Sequence, residues 1–246
     1  MNVVIRADAS LKIGTGHVMR CLTLALELKK QGARVEFICR THDGNLIEHI
    51  QQDGYVVHSL AIDARFQQAP SSLFHADWLG ATQNGDAELC KAILERLNAD
   101  WVIVDHYSID FKWEKEIRKT AKRIMVIDDL ADRKHDCDLL LDQNLGRVPS
   151  DYSSLVPDAC SVFSGPSNAL IREEFWKLRY KKKNSNKSNL NILIFFGGID
   201  VDDYTGRTVG LVHSIGLVNV EVVIGRNNIN QKTIKSVCNE LSYNVT

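Results

Sequence analysis

The sequence predicts an α/β protein with two doubly wound parallel-sheet domains, the second of them cut short. Short apolar segments alternate with segments of helical period along residues 1–176, as expected when helices connect parallel strands. A basic, polar stretch at 177–188 then interrupts the pattern. The alternation restarts over 189–246, but it supplies only two strands and two helices before the chain reaches what looks like another strand.

The first domain, residues 1–176, contains six predicted strands and five predicted helices. The strands are apolar runs at residues 3–5, 35–39, 55–60, 101–104, 123–127 and 137–141. The helices begin near Thr15 and then span 45–52, 86–97, 111–122 and 169–180. Gly32 is expected to end the first helix as a C′ glycine. Residues 62–84 have no clean period and are predicted to form a long surface loop.

The second domain, residues 189–246, is predicted to be a partial Rossmann-like unit. Strands are expected at 190–196 and 219–224, with one helix ending near Ile215 and another beginning near Asn230. The basic segment 177–188 is predicted to be an interdomain linker. A nucleic-acid site is the alternative for this segment, but Tyr180 is its only aromatic residue.

Composition excludes several classes of partner. Lys and Arg total 30 against 31 Asp and Glu, so no net field favours nucleic acid or an acidic membrane. No apolar run reaches the roughly 18 residues of a membrane-spanning helix, and the N-terminus shows no signal peptide before the first strand. The six cysteines are scattered along the chain and are predicted to be buried thiols of a cytoplasmic protein.

The turn after the first strand is the clearest candidate site. Gly14 and Gly16 precede His17, which opens the first helix. Free backbone N–H groups and the helix dipole make such a turn an anion site, and a neutral imidazole beside a phosphate ester is suited to act as a general base. The G-x-G-x-x-G and P-loop patterns are both incomplete. A tight turn whose histidine merely caps or packs is therefore the alternative.

Two further features favour a ligand site at this turn. Arg20 lies three residues after His17 and shares its helix face. Arg6 and Asp8 lie at the carboxyl end of the first strand, where open α/β sheets bind their ligands. We therefore predict that Arg6, Asp8 and Arg20 bind the substrate directly or lie behind the groups that do.

A second strand end carries Asp105, His106 and Tyr107, and a third carries Asp128 and Asp129. Such residues either perform acid–base chemistry or cap the following helix, and the sequence leaves both roles open. Asp105 is suited to fix a histidine tautomer or to hold a water molecule.

No metal site is predicted, because the chain has no HExxH motif, no CxxC pair and no facial-triad spacing. His135 precedes a predicted strand that should bury Cys137, and its role stays open, as do those of Asp128 and Asp129. No GxSxG elbow supports a serine nucleophile.

These blocks in combination closely resemble a known family, the UDP-2,4-diacetamido-2,4,6-trideoxy-β-L-altropyranose hydrolases of pseudaminic acid biosynthesis. The resemblance runs along the whole chain. It is carried by Arg6, Asp8, Ser10, Ile13, Gly14, Gly16, His17 and Arg20, by the blocks 105–107, 128–129, 137–140 and 169–175, and by Gly197, Gly198 and Asp200.

The resemblance also implies a fold and a division of labour. The family is similar in fold to the GT-B glycosyltransferases, in which two Rossmann-like domains face each other across a cleft. The nucleotide lies mainly on the C-terminal domain there, so residues 189–246 are expected to be a partial nucleotide-binding domain.

The reaction that the resemblance implies is release of UDP by attack of water at C1, with C–O cleavage and inversion and without a metal or cofactor. The free sugar is then condensed with a three-carbon unit towards pseudaminic acid, a nonulosonic acid used in flagellin glycosylation. The family's catalytic histidine matches His17. Tyr107 and Asp105 are predicted to orient the water or the amides of the sugar.

The predicted binding residues follow from the same resemblance. Inversion requires the base and the diphosphate on opposite faces of C1, so Gly197 and Gly198 are predicted at the diphosphate, with Gly14 and Gly16 on the sugar side. Arg6, Asp8, Arg20 and His106 complete the predicted substrate-binding set. The only partner predicted is the UDP-sugar, with no nucleic acid and no membrane, and the oligomeric state is not predicted.

Two alternatives stay open. One is a GT-B glycosyltransferase that transfers a UDP-sugar to an acceptor, and the other is a non-catalytic UDP-sugar-binding remnant. The family carries further C-terminal sequence, including an acidic residue that holds the uridine ribose. The sequence given has no counterpart after Thr246, so impaired UDP binding is expected if this is the whole chain.

Overall fold

The computed structural model describes residues 1–62, 73–179, 190–215, 218–225 and 228–246. They form two compact units, Met1–Trp176 and Lys177–Thr246. Residues 63–72 of the predicted loop and 180–188 of the predicted linker lie outside the described residues. None of the helices in the described ranges has the length and apolar character needed to cross a membrane.

The first unit is built on a parallel sheet of seven strands. In chain order these are β1 (Asn2–Ala7), β2 (Arg34–Arg40), β3 (Val56–Leu60), β4 (Trp101–Asp105), β5 (Arg123–Ile127), β6 (Leu139–Asp142) and β7 (Ser161–Ser164). Their order across the sheet is β3-β2-β1-β4-β5-β6-β7, so the winding reverses between β1 and β4. Open α/β sheets bind ligands beyond the carboxyl ends of the strands at this reversal.

Helices cover both faces of this sheet. In the described part of the unit they are α1 (Gly16–Lys30), α2 (Ile47–Gln52), α3 (Gln83–Leu97) and α4 (Phe111–Ile117). A short helix, α5 (Glu173–Leu178), begins in this unit and ends two residues beyond it. Because strand side chains alternate between faces, Val4 packs in the cluster that holds α3 and α4, whereas Val3 and Ile5 pack in the cluster that holds α1 and α2. The predicted doubly wound α/β class is confirmed.

Several predicted boundaries in the first unit are wrong for local reasons. The loop predicted at 62–84 contains a 3₁₀ helix, Ala76–Leu79, and the start of α3, which Thr82 caps by accepting a hydrogen bond from the backbone N–H of Gly85. Helix α4 ends at Ile117 rather than 122 because the backbone turns back on the Ile117 carbonyl to enter β5.

Two further differences concern the sheet edge. The helix predicted at 169–180 is confined to Glu173–Leu178, because Ala169 is extended and the Leu170 N–H donates to the side chain of Gln143. Strand β7, Ser161–Ser164, was not predicted. It is a short edge strand of partly exposed polar and apolar residues, which has little of the buried apolar pattern that predicts a central strand.

The second unit is a smaller parallel sheet of three strands in the order β10-β9-β8. The strands are β8 (Leu190–Ile194), β9 (Val218–Val222) and β10 (Asn244–Val245), and the helices are α6 (Tyr204–His213) and α7 (Gln231–Glu240). Ile194, Val222, Val209 and Ile234 join strands and helices in one core. The final strand that the sequence indicated at 243–246 is present as β10.

A buried ionic network lies beneath the carboxyl ends of β1 and β2. Asp86 of α3 accepts hydrogen bonds from Arg6 and Arg40 at 2.8 and 2.7 Å and from the indole N–H of Trp113 at 2.9 Å. Asp8 accepts from Arg6 at 2.6 Å. The charges of two guanidinium groups and two carboxylates thus cancel inside the protein. Burying a charge without a partner there would cost several kcal/mol of folding free energy.

We expect Asp86→Ala to lower the free energy of unfolding of the first unit by about 3–5 kcal/mol, because two buried guanidinium groups then share one carboxylate. All four tryptophans lie in this unit, so urea unfolding followed by tryptophan fluorescence reports on it. Glu88→Ala, at an exposed position of α3, is the matched control and should change the midpoint little. Equal midpoints for the two variants would contradict the network's role.

Candidate active site

The candidate site lies where β1, β4 and β5 end. His17 is in the first turn of α1, Asp105 is the last residue of β4, and Tyr107 follows two residues later. Asp129 lies two residues after the end of β5. The parallel register of β1 with β4 and of β4 with β5 brings these strand ends to one edge of the sheet.

His17 and Asp105 form a buried pair. The Nδ1–H of His17 donates to Oδ1 of Asp105 at 2.6 Å, and the two side chains are 8% and 0% exposed. None of the described residues hydrogen-bonds to the second ring nitrogen, Nε2. The carboxylate therefore fixes the tautomer in which Nε2 carries the lone pair, as the sequence suggested for Asp105.

Arg20 completes this pair as a bidentate partner of Asp105. Its Nε and Nη2 donate to the two carboxylate oxygens at 2.5 and 2.6 Å. Burial alone would raise the pKa of Asp105, but the attraction of His17 in its protonated form and the hydrogen bonds from Arg20 and His17 outweigh it and hold that pKa well below its ordinary value. Asp105 is thus a permanent anion that orients His17.

Tyr107 contacts the other side of the imidazole. Its ring meets the His17 ring edge to face, with centroids 4.5 Å apart, and its hydroxyl donates to Oδ2 of Asp129 at 2.6 Å. Burial and this hydrogen bond raise the pKa of Tyr107. The hydroxyl therefore stays protonated at neutral pH, and its oxygen lone pairs are left to accept a hydrogen bond.

Asp129 links the two halves of the site. It accepts a hydrogen bond from Arg20 at 2.5 Å as well as that from Tyr107, and Asn144 Nδ2 lies 3.3 Å from its other carboxylate oxygen. Arg147 binds the backbone carbonyls of Asp129 and Leu130. The paired carboxylates of 128–129 were noticed in the sequence, but nothing there indicated that Asp129 would join Arg20 to Tyr107.

Two aromatic side chains that were not among the predicted site residues stand beside Tyr107. The rings of His75 and Trp78 lie 5.5 and 6.0 Å from the Tyr107 ring and 4.0 Å from each other. Both belong to the segment predicted as a surface loop. The sequence signal for a packed segment was the concentration of ring-bearing side chains over 74–78, because exposed loops rarely contain so many.

Arg6 and Asp8 lie behind the candidate site, which is the second of the two positions predicted for them, and His106 lies there with them. Arg6 and Asp8 are 0% exposed and belong to the buried network with Asp86. His106 is 3% exposed; its Nε2 lies 3.1 Å from Asp8, and its Nδ1 accepts from the N–H of Ser108. Their polar atoms are engaged inside the protein, so they support the strand ends from behind and do not present a substrate-binding surface.

The predicted glycines differ in their surroundings. Gly14 has φ +78°, a conformation that favours glycine, and it closes a turn by donating to the carbonyl of Ser10. No atom lies within 4 Å of where a Cβ would stand on Gly14, Gly16 or Gly197. Gly198 packs against Gly225, whose added Cβ would overlap the Gly198 carbonyl. Contact of these glycines with substrate stays a prediction.

Asp128 and His135, whose roles the sequence left open, have structural roles. The Tyr152 hydroxyl lies 3.0 Å from Asp128 and 2.8 Å from Asp142, and Arg133 pairs with Asp128 at 2.8 Å. His135 is buried with its Nδ1 2.7 Å from Glu114.

The described residues include no group of three or more His, Cys, Asp or Glu side chains arranged to hold a metal ion.

Comparison with known proteins identifies relatives of this chain. No protein-family model matches the chain. The chain is 34% identical over 202 residues to the UDP-2,4-diacetamido-2,4,6-trideoxy-beta-L-altropyranose hydrolase of Campylobacter jejuni, a match that covers 82% of this chain and 62% of that protein. The resemblance predicted from the sequence is confirmed.

A second curated relative is an uncharacterized protein of Methanocaldococcus jannaschii. It is 26% identical over 231 residues, which cover 92% of this chain and 43% of that protein. The chain thus spans less than two thirds of the length of either relative.

Solved structures support the fold. MurG of Acinetobacter baumannii matches with a TM-score of 0.54 and 13% identity, covering 100% of this chain and 66% of that one. Arabidopsis thaliana UGT89C1 complexed with UDP-L-rhamnose matches with a TM-score of 0.54 and 9% identity, covering 94% and 67%. Both are GT-B glycosyltransferases, and the predicted GT-B-like, Rossmann-like fold class is confirmed.

The geometry predicts that neutral His17 carries its proton on Nδ1, because Asp105 accepts a hydrogen bond there. Long-range ¹H–¹⁵N spectra of protein labelled at histidine distinguish the two tautomers, and His17→Asn identifies the His17 signals by their loss. Asp105→Leu should abolish the preference, whereas Asp158→Asn, at an exposed position, should keep it. A native spectrum with the proton on Nε2 would contradict the assigned geometry.

Proposed function

We propose that this chain is a UDP-sugar hydrolase whose substrate is UDP-2,4-diacetamido-2,4,6-trideoxy-β-L-altrose. Water replaces UDP at C1 of the sugar, with cleavage of the C1–O bond, inversion of configuration and no need for a metal. The observation that carries the proposal is the buried His17–Asp105 pair at the sheet reversal. The relative with 34% identity, itself named as this hydrolase, supplies the substrate class.

His17 acts as the general base. Its Nε2 lone pair takes a proton from water while the water oxygen attacks C1, and the electrons of the C1–O bond pass to the departing diphosphate. The imidazole gains a positive charge in this step, which the anionic Asp105 stabilises from the opposite ring nitrogen. Arg20 keeps that carboxylate ionised and fixed in place.

Tyr107 orients the reactants. Because its hydroxyl proton is directed to Asp129, the oxygen accepts a hydrogen bond from the attacking water or from an acetamido N–H of the sugar. The rings of His75 and Trp78 extend the same surface. An apolar ring face beside the imidazole base suits a deoxy sugar that carries a methyl group and two amides.

The remaining binding roles belong to the proposal. Inversion separates the base from the leaving group across C1, so we retain Gly197 and Gly198 for the diphosphate and Gly14 and Gly16 for the sugar. The free sugar then enters pseudaminic acid synthesis by condensation with a three-carbon unit. We place this reaction in the cytoplasm, with the UDP-sugar as the partner.

The first test is UDP release from the UDP-sugar without an acceptor, followed by phosphorus NMR. We expect His17→Asn to lower turnover by roughly 10² to 10⁴, because the base is lost. His49→Asn, on α2 away from the site, is the matched control and should retain activity, as should the native chain with added chelator.

Three outcomes would contradict the proposal. UDP release that depends on an added acceptor would indicate a glycosyltransferase. Binding of the UDP-sugar without release by the native chain would indicate a non-catalytic binder. Full activity of His17→Asn would remove the assigned base.

A second test concerns how Arg20 holds Asp105. Its two hydrogen bonds to that carboxylate fix the group that orients His17. We therefore expect Arg20→Met to lower kcat, because the carboxylate loses its bidentate partner. Arg20→Lys, which keeps the charge but not the bidentate geometry, should lower kcat less. An unchanged kcat in Arg20→Met would contradict this role of Arg20.

A further inference from the structure

Two thiols meet at the edge of the large sheet, away from the candidate site. Cys137 stands just before β6 and Cys160 just before β7, and their sulfur atoms are 3.6 Å apart. The pairing of Leu139 with Ser161 in the adjacent parallel strands holds both segments in register. The sulfurs need to approach by only about 1.5 Å to reach the S–S bond length of about 2.05 Å.

The pair differs from the other cysteines of the chain. All six cysteines lie in the described part of the chain and are free. Cys21, Cys39, Cys90 and Cys238 are buried, and no hydrogen bond joins any two of these four thiols. Cys160 is only partly buried, whereas Cys137 is 2% exposed. A small oxidant in solvent therefore reaches Cys160 first and finds Cys137 directly behind it.

The local charges support the same order of reaction. The hydrogen bond from Cys137 lowers the pKa of Cys160, and the same bond, with burial, raises the pKa of Cys137. Arg118 adds a favourable positive charge, while Asp138 and Glu114 oppose it. Thiolate, rather than thiol, is the form that an oxidant attacks.

We propose that Cys137 and Cys160 are a modification site at which a hydroperoxide forms a reversible disulfide. The Cys160 thiolate attacks the terminal peroxide oxygen and becomes a sulfenic acid, and the O–O bond breaks to release hydroxide or alkoxide. The sulfur of Cys137 then attacks the sulfenic sulfur, and the OH group leaves as water. Overall, two thiols lose two electrons and two protons, and hydrogen peroxide becomes two molecules of water.

The disulfide would act on a segment that supports the candidate site. It would close the loop between residues 137 and 160, which contains Asn144 and Arg147, the two side chains that hold Asp129 and its backbone. Closing a loop of this size restricts the unfolded chain. The oxidised protein should therefore unfold at a temperature higher by roughly 5–10 °C.

The test uses the native chain treated with hydrogen peroxide and then alkylated without reduction. Trypsin cleaves after Lys134, Arg147 and Arg172, so the two cysteines lie on separate peptides, 135–147 and 148–172. We expect a cross-linked pair of these peptides that dithiothreitol separates, together with the rise in unfolding temperature. Cys160→Ser should give no cross-link, and Cys238→Ala, in the other unit, should still give it.

Two results would overturn the proposal. One is oxidation of Cys160 to sulfinic or sulfonic acid without any cross-linked peptide in the native chain. The other is a cross-link that joins a different pair of cysteines at the same peroxide concentration. Both readouts are independent of UDP-sugar hydrolysis, so failure of either proposal is distinguishable from failure of the other.

Discussion

The buried carboxylate of Asp105 accepts a hydrogen bond from His17 on one oxygen and hydrogen bonds from Arg20 on both oxygens. Its side chain has no exposure to solvent. A buried anion of this kind is stable only while its partners stay in place. The imidazole tautomer, the position of Arg20 and, through Arg20, the link to Asp129 all depend on it. Removing this one charge would leave His17 without the acceptor that orients it and Arg20 with Asp129 as its remaining carboxylate partner.

The fold explains why such a cluster exists at this place. The sheet reverses its winding between β1 and β4, so no crossover helix closes over the carboxyl ends of these strands. The N-terminus of α1 and the loops after β4 and β5 meet in that opening. The second charged layer, Arg6 and Asp8 with α3, fills the space beneath it. A rigid support of this sort holds catalytic side chains more accurately than loops alone.

Most strands and helices of the fold could be predicted from the sequence, because periodicity identifies elements that are apolar on a regular face. The sheet strands ending near Asp105 and Ile127 and the C′ role of Gly32 follow from such patterns. The sequence also suggested that Asp105 fixes a histidine tautomer or holds a water molecule, without indicating which histidine. Contacts between loops that are distant in sequence cannot be predicted from such patterns. Asn144 reaches Asp129, and Trp78 reaches Tyr107, only through the tertiary fold. The burial of Arg6 also had to come from the structure, since a charged residue at a strand end gives no sign of whether it faces solvent.

The measurement that most directly tests the central claim, water attack at C1 with His17 as base, follows oxygen from ¹⁸O-labelled water. The native chain and His17→Asn are incubated in parallel with the UDP-sugar, and UDP and the free sugar are analysed by mass spectrometry at early times. Preformed sugar serves as the control for exchange at the anomeric oxygen. We predict unlabelled UDP and labelled sugar from the native chain, formed at a greatly reduced rate by His17→Asn. Label in the UDP, or equal rates for the two proteins, would contradict the account.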